Sequence, residues 1–219
     1  MGNRAIVKAF GKNIGVYLHW NGGRDSVEAF LEYCKLRGFR EFDGDGYGMA
    51  RFVQVVSNFF GGDGLSIGIE TNVHMHERCS PGDNGIYEVK GWEIVGRCDA
   101  PRFEQQEYDI VEFMKAIDKS QPEKQRIGEK FFDAEIVDRD EIKVGDIVFM
   151  PDTLSGGYFE ACVIGIGEKD KRVNGQYVTG IPYVGKYGGN YCIPENNINN
   201  YLRNQKYHVI KNTQEHEEE

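Results

Sequence analysis

The stretch His19-Trp20-Asn21-Gly22-Gly23-Arg24-Asp25-Ser26 gathers an imidazole, a guanidinium, a carboxylate and a glycine pair. Glycine takes positive φ without steric cost, so the pair allows a sharp turn that aims backbone N–H groups outward. A helix starting directly after such a turn adds its unpaired amides and its dipole, which together favour an anion. His19, Asn21, Gly22, Gly23, Arg24 and Asp25 are therefore the candidate ligand-binding residues, with a phosphate or nucleotide as the ligand and Arg24 as its counter-charge. The stretch fits neither the G-x-x-x-x-G-K-[ST] frame nor G-x-G-x-x-G. The alternative is a capped strand-to-helix corner, with Asp25 and Glu28 forming a capping box and Arg24 in solvent.

Other constellations fall short of a frame. His74, His76 and Cys79 offer imidazole and thiolate, which suit zinc, but at a spacing no common zinc site uses. Asp43-Gly44-Asp45-Gly46 has the front of a calcium loop, yet Tyr47, Met49 and Arg51 fill the later oxygen positions. Cys34 sits mid-helix on an apolar face, and no nucleophile elbow precedes a base. Glu70 would need a second carboxylate that spacing alone does not bring to it. The expectation is a non-enzymatic protein with no metal, no cofactor and no catalytic residue.

The elements that position these residues can be read in order. Segments 4–10 and 14–20 alternate as strands and join at Gly11-Lys12-Asn13, a hairpin by its turn chemistry. A helix is predicted over 26–37 with Gly38 as its stop, and a second, richer in apolar residues, over 47–60. A short strand at 65–70 precedes an exposed insertion at 71–84, and strands at 85–89 and 92–96 flank Lys90-Gly91. The first domain, 1–98, is thus α+β: an antiparallel sheet packed on two helices. Segment 99–134 is a helical linker whose helix runs over 104–119. Strands at 143–150, 158–166, 176–184 and 190–194 make 135–212 a small β-barrel domain, with a polar helical turn at 195–204. The acidic tail 213–219 is read as disordered.

With 219 residues, 40% hydrophobic and 28% charged, the chain has enough apolar residues for ordinary packed cores. Its net charge of -9 disfavours direct nucleic-acid binding, which draws its affinity from neutralised phosphates. It suits a basic protein partner instead. Five cysteines are scattered without C-x-x-C, and Cys34 and Cys162 fall on apolar faces of predicted elements. No leader or membrane span is recognisable, so the expected location is the cytoplasm, with reduced thiols.

Two resemblances add context. Met1-Gly2-Asn3-Arg4-Ala5, Tyr17-Leu18-His19-Trp20-Asn21-Gly22-Gly23-Arg24-Asp25-Ser26, Tyr47-Gly48-Met49-Ala50-Arg51, Asn58-Phe59-Phe60-Gly61-Gly62, Asp83-Asn84-Gly85-Ile86-Tyr87 and Trp92-Glu93-Ile94-Val95 run in order over residues 1–97. This segment resembles a group of small proteins from tailed phages and mobile elements of Gram-positive bacteria. The resemblance implies an accessory protein working inside a bacterial host and transfers no catalytic residue. Residues 135–200, with Ile142-Lys143-Val144-Gly145-Asp146-Ile147-Val148 and Tyr158-Phe159-Glu160-Ala161-Cys162-Val163-Ile164-Gly165-Ile166, resemble SH3-like barrels of the Tudor type. In such a barrel Tyr158, Tyr177, Tyr183, Tyr187 and Tyr191 could line an aromatic groove for a peptide partner. The leading expectation is a protein that inhibits a host defence component, of the anti-CRISPR or anti-restriction type, by binding a basic, nucleic-acid-handling effector. The alternative is a protein that captures a nucleotide or phosphate signal at Asn21–Asp25, or an enzyme acting on it.

Overall fold

The computed structural model describes residues 3–61, 66–75, 83–98, 109–151, 157–164, 171–173, 176–178, 180–184, 190–194 and 206–212. The chain divides into two compact units, 1–127 and 128–219. Its class is α+β, with a five-stranded sheet in the first unit and a six-stranded sheet in the second.

In the first unit, β1 (Ala5–Ala9) and β2 (Ile14–Leu18) form the predicted hairpin around Gly11, whose φ of +66 a side chain would resist. Two helices follow, α1 (Arg24–Leu36) and α2 (Gly46–Phe59), then β3 (Ile67–Thr71). β4 (Ile86–Lys90) and β5 (Glu93–Cys98) make a second hairpin around Gly91, at φ +60. The strand order is β3-β2-β1-β4-β5. The sheet is largely antiparallel, as expected, with one parallel pair at its centre, β1 beside β4, where Ile6 lies opposite Ile86 and Val7 opposite Tyr87. The chain between them contains a hairpin return, two helices and a strand, ample for a crossover.

Register sorts the side chains onto two faces. Ala5, Val7, Ala9, Val16, Leu18, Tyr87 and Val89 share the helix-covered face and are all 0% exposed. The other face carries Ile6, Ile86 and Tyr17, packed against Val73 and Met75. The predicted exposed insertion at 71–84 therefore starts as core cover, because Val73 closes this second face.

The helix α3 (Ile110–Ser120), which the sequence reading places in a linker, packs on α1 and α2. Phe30 of α1 explains how: its ring meets Phe52 and Phe59 of α2 and Phe113 of α3, with centroids 5.3–6.4 Å apart. Polar hooks fix the angle. The Tyr33 hydroxyl donates to Asp118 Oδ1 at 2.8 Å, and the same oxygen accepts from the Ile127 amide at 2.7 Å. Gln121 Nε2 donates to the Val55 carbonyl at 3.2 Å while its Oε1 accepts from Asn58 at 2.9 Å. Burial and the Asp118 carboxylate together push the Tyr33 phenol far up, so it stays a donor.

The second unit opens with α4 (Glu129–Asp133) and β6 (Glu135–Val137). Strands β7 (Ile147–Pro151), β8 (Tyr158–Val163), β9 (Lys171–Val173), β10 (Gln176–Val178), β11 (Gly180–Val184), β12 (Asn190–Pro194) and β13 (Tyr207–Ile210) follow. β9 and β10 pair as a ribbon, and the main sheet has the order β12-β11-β8-β7-β13-β6. Among the described residues its end strands, β12 and β6, are not paired with each other, so closure into a barrel is not seen. Val137, Ile142, Val148, Ala161, Val163, Tyr207 and Val209 are its core. Phe131 adds a ring stacked on His208 at 3.9 Å, and the Phe131 carbonyl lies 3.1 Å from His208 Nδ1. Burial lowers the His208 pKa. Cys162 is exposed rather than apolar-buried, because the strand register turns Ala161 and Val163 inward instead. The predicted helical turn at 195–204 lies outside the described residues.

Removing the Asp118 carboxylate would orphan a buried phenol and a backbone amide. Asp118→Ala should lower unfolding free energy by roughly 2–3 kcal/mol and Tyr33→Phe by about 1 kcal/mol, read from urea denaturation followed at α-helical ellipticity.

Candidate functional site

The sheet topology brings six chain segments to one end of the first unit. Parallel pairing puts the starts of β1 and β4 side by side, and antiparallel pairing adds the ends of β2 and β5 and the start of β3. The α1 N-terminus lies at the same end, because β2 leads into it through Asn21, Gly22 and Gly23. Asn21 takes φ +51, the left-handed region that asparagine tolerates. Gly22 then donates its amide to the Asn3 carbonyl at 2.7 Å. A Cβ on Gly22 would come within 2.6 Å of the Ala5 nitrogen, so this position admits no side chain without moving backbone. Gly23 is extended at φ -66, ψ 153 and serves as N-cap with no side-chain cap bond.

This corrects the capping box. Asp25 is inside the first turn, where its Oδ1 accepts from the Ser26 amide at 2.7 Å. Glu28 faces Arg24 instead, one helical turn away, at 2.8 Å. That hydrogen bond and the Glu28 charge raise the Arg24 pKa. Arg24 stands in solvent beside Glu28, as the capped-corner alternative expects. His19 is half-buried, with Nδ1 at 3.2 Å from the Tyr17 hydroxyl and its ring against Trp20 at 4.8 Å. Trp20 stands 43% exposed beside it.

Beneath the first turn of α1 lie groups that sequence reasoning passed over. Tyr87 is fully buried on the helix-covered face, and its hydroxyl has no hydrogen-bond partner. Arg97, its register partner on β5, lays its guanidinium over the Tyr87 ring at 4.9 Å. Arg97 Nε donates to the Asn84 carbonyl at 3.0 Å, while Nη2 is buried without a partner. Asp25 Oδ2 is buried and unpartnered as well. Burial pushes the Tyr87 phenol up to about 12, with Arg97, Asp25, Arg24 and Glu28 all acting on it electrostatically. A carboxylate oxygen, a guanidinium nitrogen and a phenol oxygen at this end of the sheet thus each keep hydrogen-bonding capacity. Around them Arg4 pairs with Asp83 at 3.3 Å, which lowers the Asp83 pKa, and Asn84 Nδ2 donates to Asn3 Oδ1.

A second buried charge pair sits on the opposite face. Lys8 Nζ meets Glu88 Oε1 at 2.5 Å, and both belong to the parallel strand pair. An isolated Lys in the strand Ala-Ile-Val-Lys-Ala reads as solvent-facing; only the register shows that Glu88 answers it. Tyr87 was equally hidden, since an aromatic in an alternating strand reads as plain core. Arg97 had no local signal at all.

The chain matches no family model, no curated protein and no solved structure.

The remaining sequence candidates resolve into structural parts. Asp45 is the N-cap of α2, accepting from the Tyr47 amide at 3.0 Å, and binds Arg40 at 2.6 Å. Asp43 accepts from the Gly91 amide at 2.7 Å, so the pair ties loops rather than a cation. Cys34 is fully buried in α1, and burial raises its thiol pKa far out of the reactive range. Glu70 is exposed on β3. His74 is exposed; His76 and Cys79 lie outside the described residues. Among the described residues no group of three metal-ligating side chains forms. Tyr158 is half-buried, with its ring on Phe131 at 4.4 Å. Tyr183 pairs with Tyr191 across β11 and β12, and Tyr177 pairs with Arg172. Tyr187 lies outside the described residues.

The Gly22 contact sets this end of the unit. Gly22→Ala should destabilise the fold by roughly 1–3 kcal/mol. Gly46→Ala, where a Cβ meets nothing within 4 Å, should be neutral in the same thermal melts.

Proposed function

We propose that the protein works by binding rather than turnover, and that its first unit captures a small polar ligand under the α1 N-terminus. The observation that carries this is the set of three buried, unpartnered polar atoms, Asp25 Oδ2, Tyr87 Oη and Arg97 Nη2. Leaving such groups bare costs folding free energy, on the order of 1–3 kcal/mol each, and a ligand that pairs with them recovers it. The resemblance of residues 1–97 adds the setting, an accessory protein of a mobile element inside a bacterial host. The bound species is then a host molecule that the element senses or sequesters.

A second reading is a protein partner, a host defence effector with a basic, nucleic-acid-handling surface. The net charge of -9 favours it, as does the edge strand β3, where Ile69 stands 53% exposed. In this reading the second unit supplies recognition. Its antiparallel run β11-β8-β7-β13-β6 supports the SH3-like resemblance. Among the described residues no helix is long and apolar enough to cross a membrane.

Native mass spectrometry of protein purified gently from a bacterial host tests the first reading. An adduct of small-molecule mass is expected, and it should be lost from Tyr87→Phe. A clean chain mass would overturn it. The second reading expects capture of a host protein that weakens steeply between low and high salt; binding indifferent to ionic strength would count against it.

A further inference from the structure

An open sheet edge invites any passing strand, and the outer strands of the two main sheets are mostly guarded against it. β5 carries a bulge: Val95 is the extra residue between the pairs Glu88–Gly96 and Val89–Ile94, and Glu93 near it pairs with Lys35 at 3.6 Å. β6 is only 3 residues long, and β12 ends on Pro194, which has no N–H to offer. Among the described residues β3 has none of these devices. It runs Ile67-Gly68-Ile69-Glu70-Thr71 without bulge, proline or lysine, in unbroken register with β2. Ile69 lies opposite Val16 on the helix-covered face, yet it is 53% exposed where Val16 is 0%.

Register also says which backbone groups of β3 face outward. The His19 amide donates to the Ser66 carbonyl at 2.9 Å, so Ser66 faces β2. Antiparallel bonding alternates along a strand, which turns Gly68 and Glu70 toward β2 and Ile67, Ile69 and Thr71 toward the free edge. Turned about Ile69, a second β3 sets Ile69 against Ile69 and Ile67 against Thr71. Each of these is a pair that exchanges both its hydrogen bonds. Their side chains share the helix-covered face, so the two Ile69 side chains cover each other. Glu70, the one charge on the strand, falls opposite Gly68, where no like charge meets it. A basic partner finds only that single carboxylate along the edge, whereas a second copy finds its own pattern answered at every position.

We propose that β3 is the contact through which two copies of this chain pair, antiparallel about Ile69. The five-stranded sheet then runs on from one copy into the other. So short a contact buries little area and gives a weak, concentration-dependent dimer. It stands apart from ligand capture by the same unit, and neither needs the other.

Sedimentation velocity of the full chain across a dilution series tests it. A dimer that dissociates on dilution through the micromolar range is expected. Ile69→Lys sets like charges face to face at the two-fold and should weaken the dimer about tenfold or more, with helical ellipticity unchanged. Ile69→Cys supplies a covalent check that does not depend on that variant. Paired Cα atoms at the two-fold lie about 5.5 Å apart, within disulfide range, so mild oxidation should link two copies at position 69, read by peptide mapping. Ile67→Cys should not link to itself, since its two copies stand about 14 Å apart. A chain that stays monomeric up to roughly 1 mM would overturn the proposal. So would a dimer that Ile69→Lys leaves intact, or one in which position 67 links to itself. Capture of a host chain by the monomer, lost from Ile69→Lys, would overturn it as well, by giving the edge to a different partner.

Discussion

Parallel pairing of β1 with β4 is the constraint on which the first unit depends. It joins residues 80 positions apart and sets every other register in the sheet. Because both strands run the same way, the segments that precede them lie side by side. The Ile6 amide reaches the Gly85 carbonyl at 3.0 Å and the Asn84 amide reaches the Arg4 carbonyl at 2.9 Å. The same pairing aligns Lys8 with Glu88 on one face and Val7 with Tyr87 on the other. A slip by one residue would turn Lys8 into the helix-covered core and leave its charge unanswered. The Lys8–Glu88 pair therefore works against wrong registers more than it adds net stability, since desolvating both charges consumes most of their attraction.

Each unit is closed by a buried aspartate that serves backbone amides. Asp118 gathers Tyr33 and the Ile127 amide, tying the end of the first unit to α1. Asp146 gathers the Lys143 amide at 2.8 Å and the Asn212 amide at 3.0 Å, tying the turn before β7 to the segment after β13. Lys211 lies 3.4 Å from the same carboxylate. In both cases a carboxylate accepts from groups that would otherwise be stranded where the chain leaves regular structure. The α1 end contrasts with this economy. There the buried Tyr87 and the half-buried Asp25 and Arg97 each keep one buried polar atom without a partner.

Local chemistry made much of the first unit legible. Alternation in Val16 and Leu18, the glycines at Gly11, Gly38 and Gly91, and the apolar stripe of α2 each act within a few residues of where they are written, though Trp20, expected to continue the alternation, lies past the strand and is 43% exposed. The reading failed where meaning depends on distant partners. Nothing near Ile86 says that it will lie parallel to Ile6. The stripe of Met114 and Ile117 on α3 announces an apolar face but not that Phe30 and Tyr33 will receive it. The helix start moved because the left-handed Asn21 ends the strand early and passes the cap to Gly23. In the second unit β13 escaped notice: Tyr-His-Val-Ile is four residues, too short to show a period. Of the α1 end, the turn was visible and its floor was not. Tyr87 and Arg97 reach it through register alone.

The long reach of the β1–β4 pair has a further consequence, in the order of synthesis. β1 leaves the ribosome with β2 close behind it, but its other edge stays open until β4 has been made. At roughly 5–20 residues per second, 80 residues of separation amount to about 4–16 s. Throughout that interval the most buried strand of the sheet offers a bare row of amides and carbonyls to any passing strand. Helices α1 and α2 are made during the wait and can shield its apolar face, though not its edge. A chain halted before residue 86 would keep that edge for good, and a second copy of the same fragment carries a strand able to fill it.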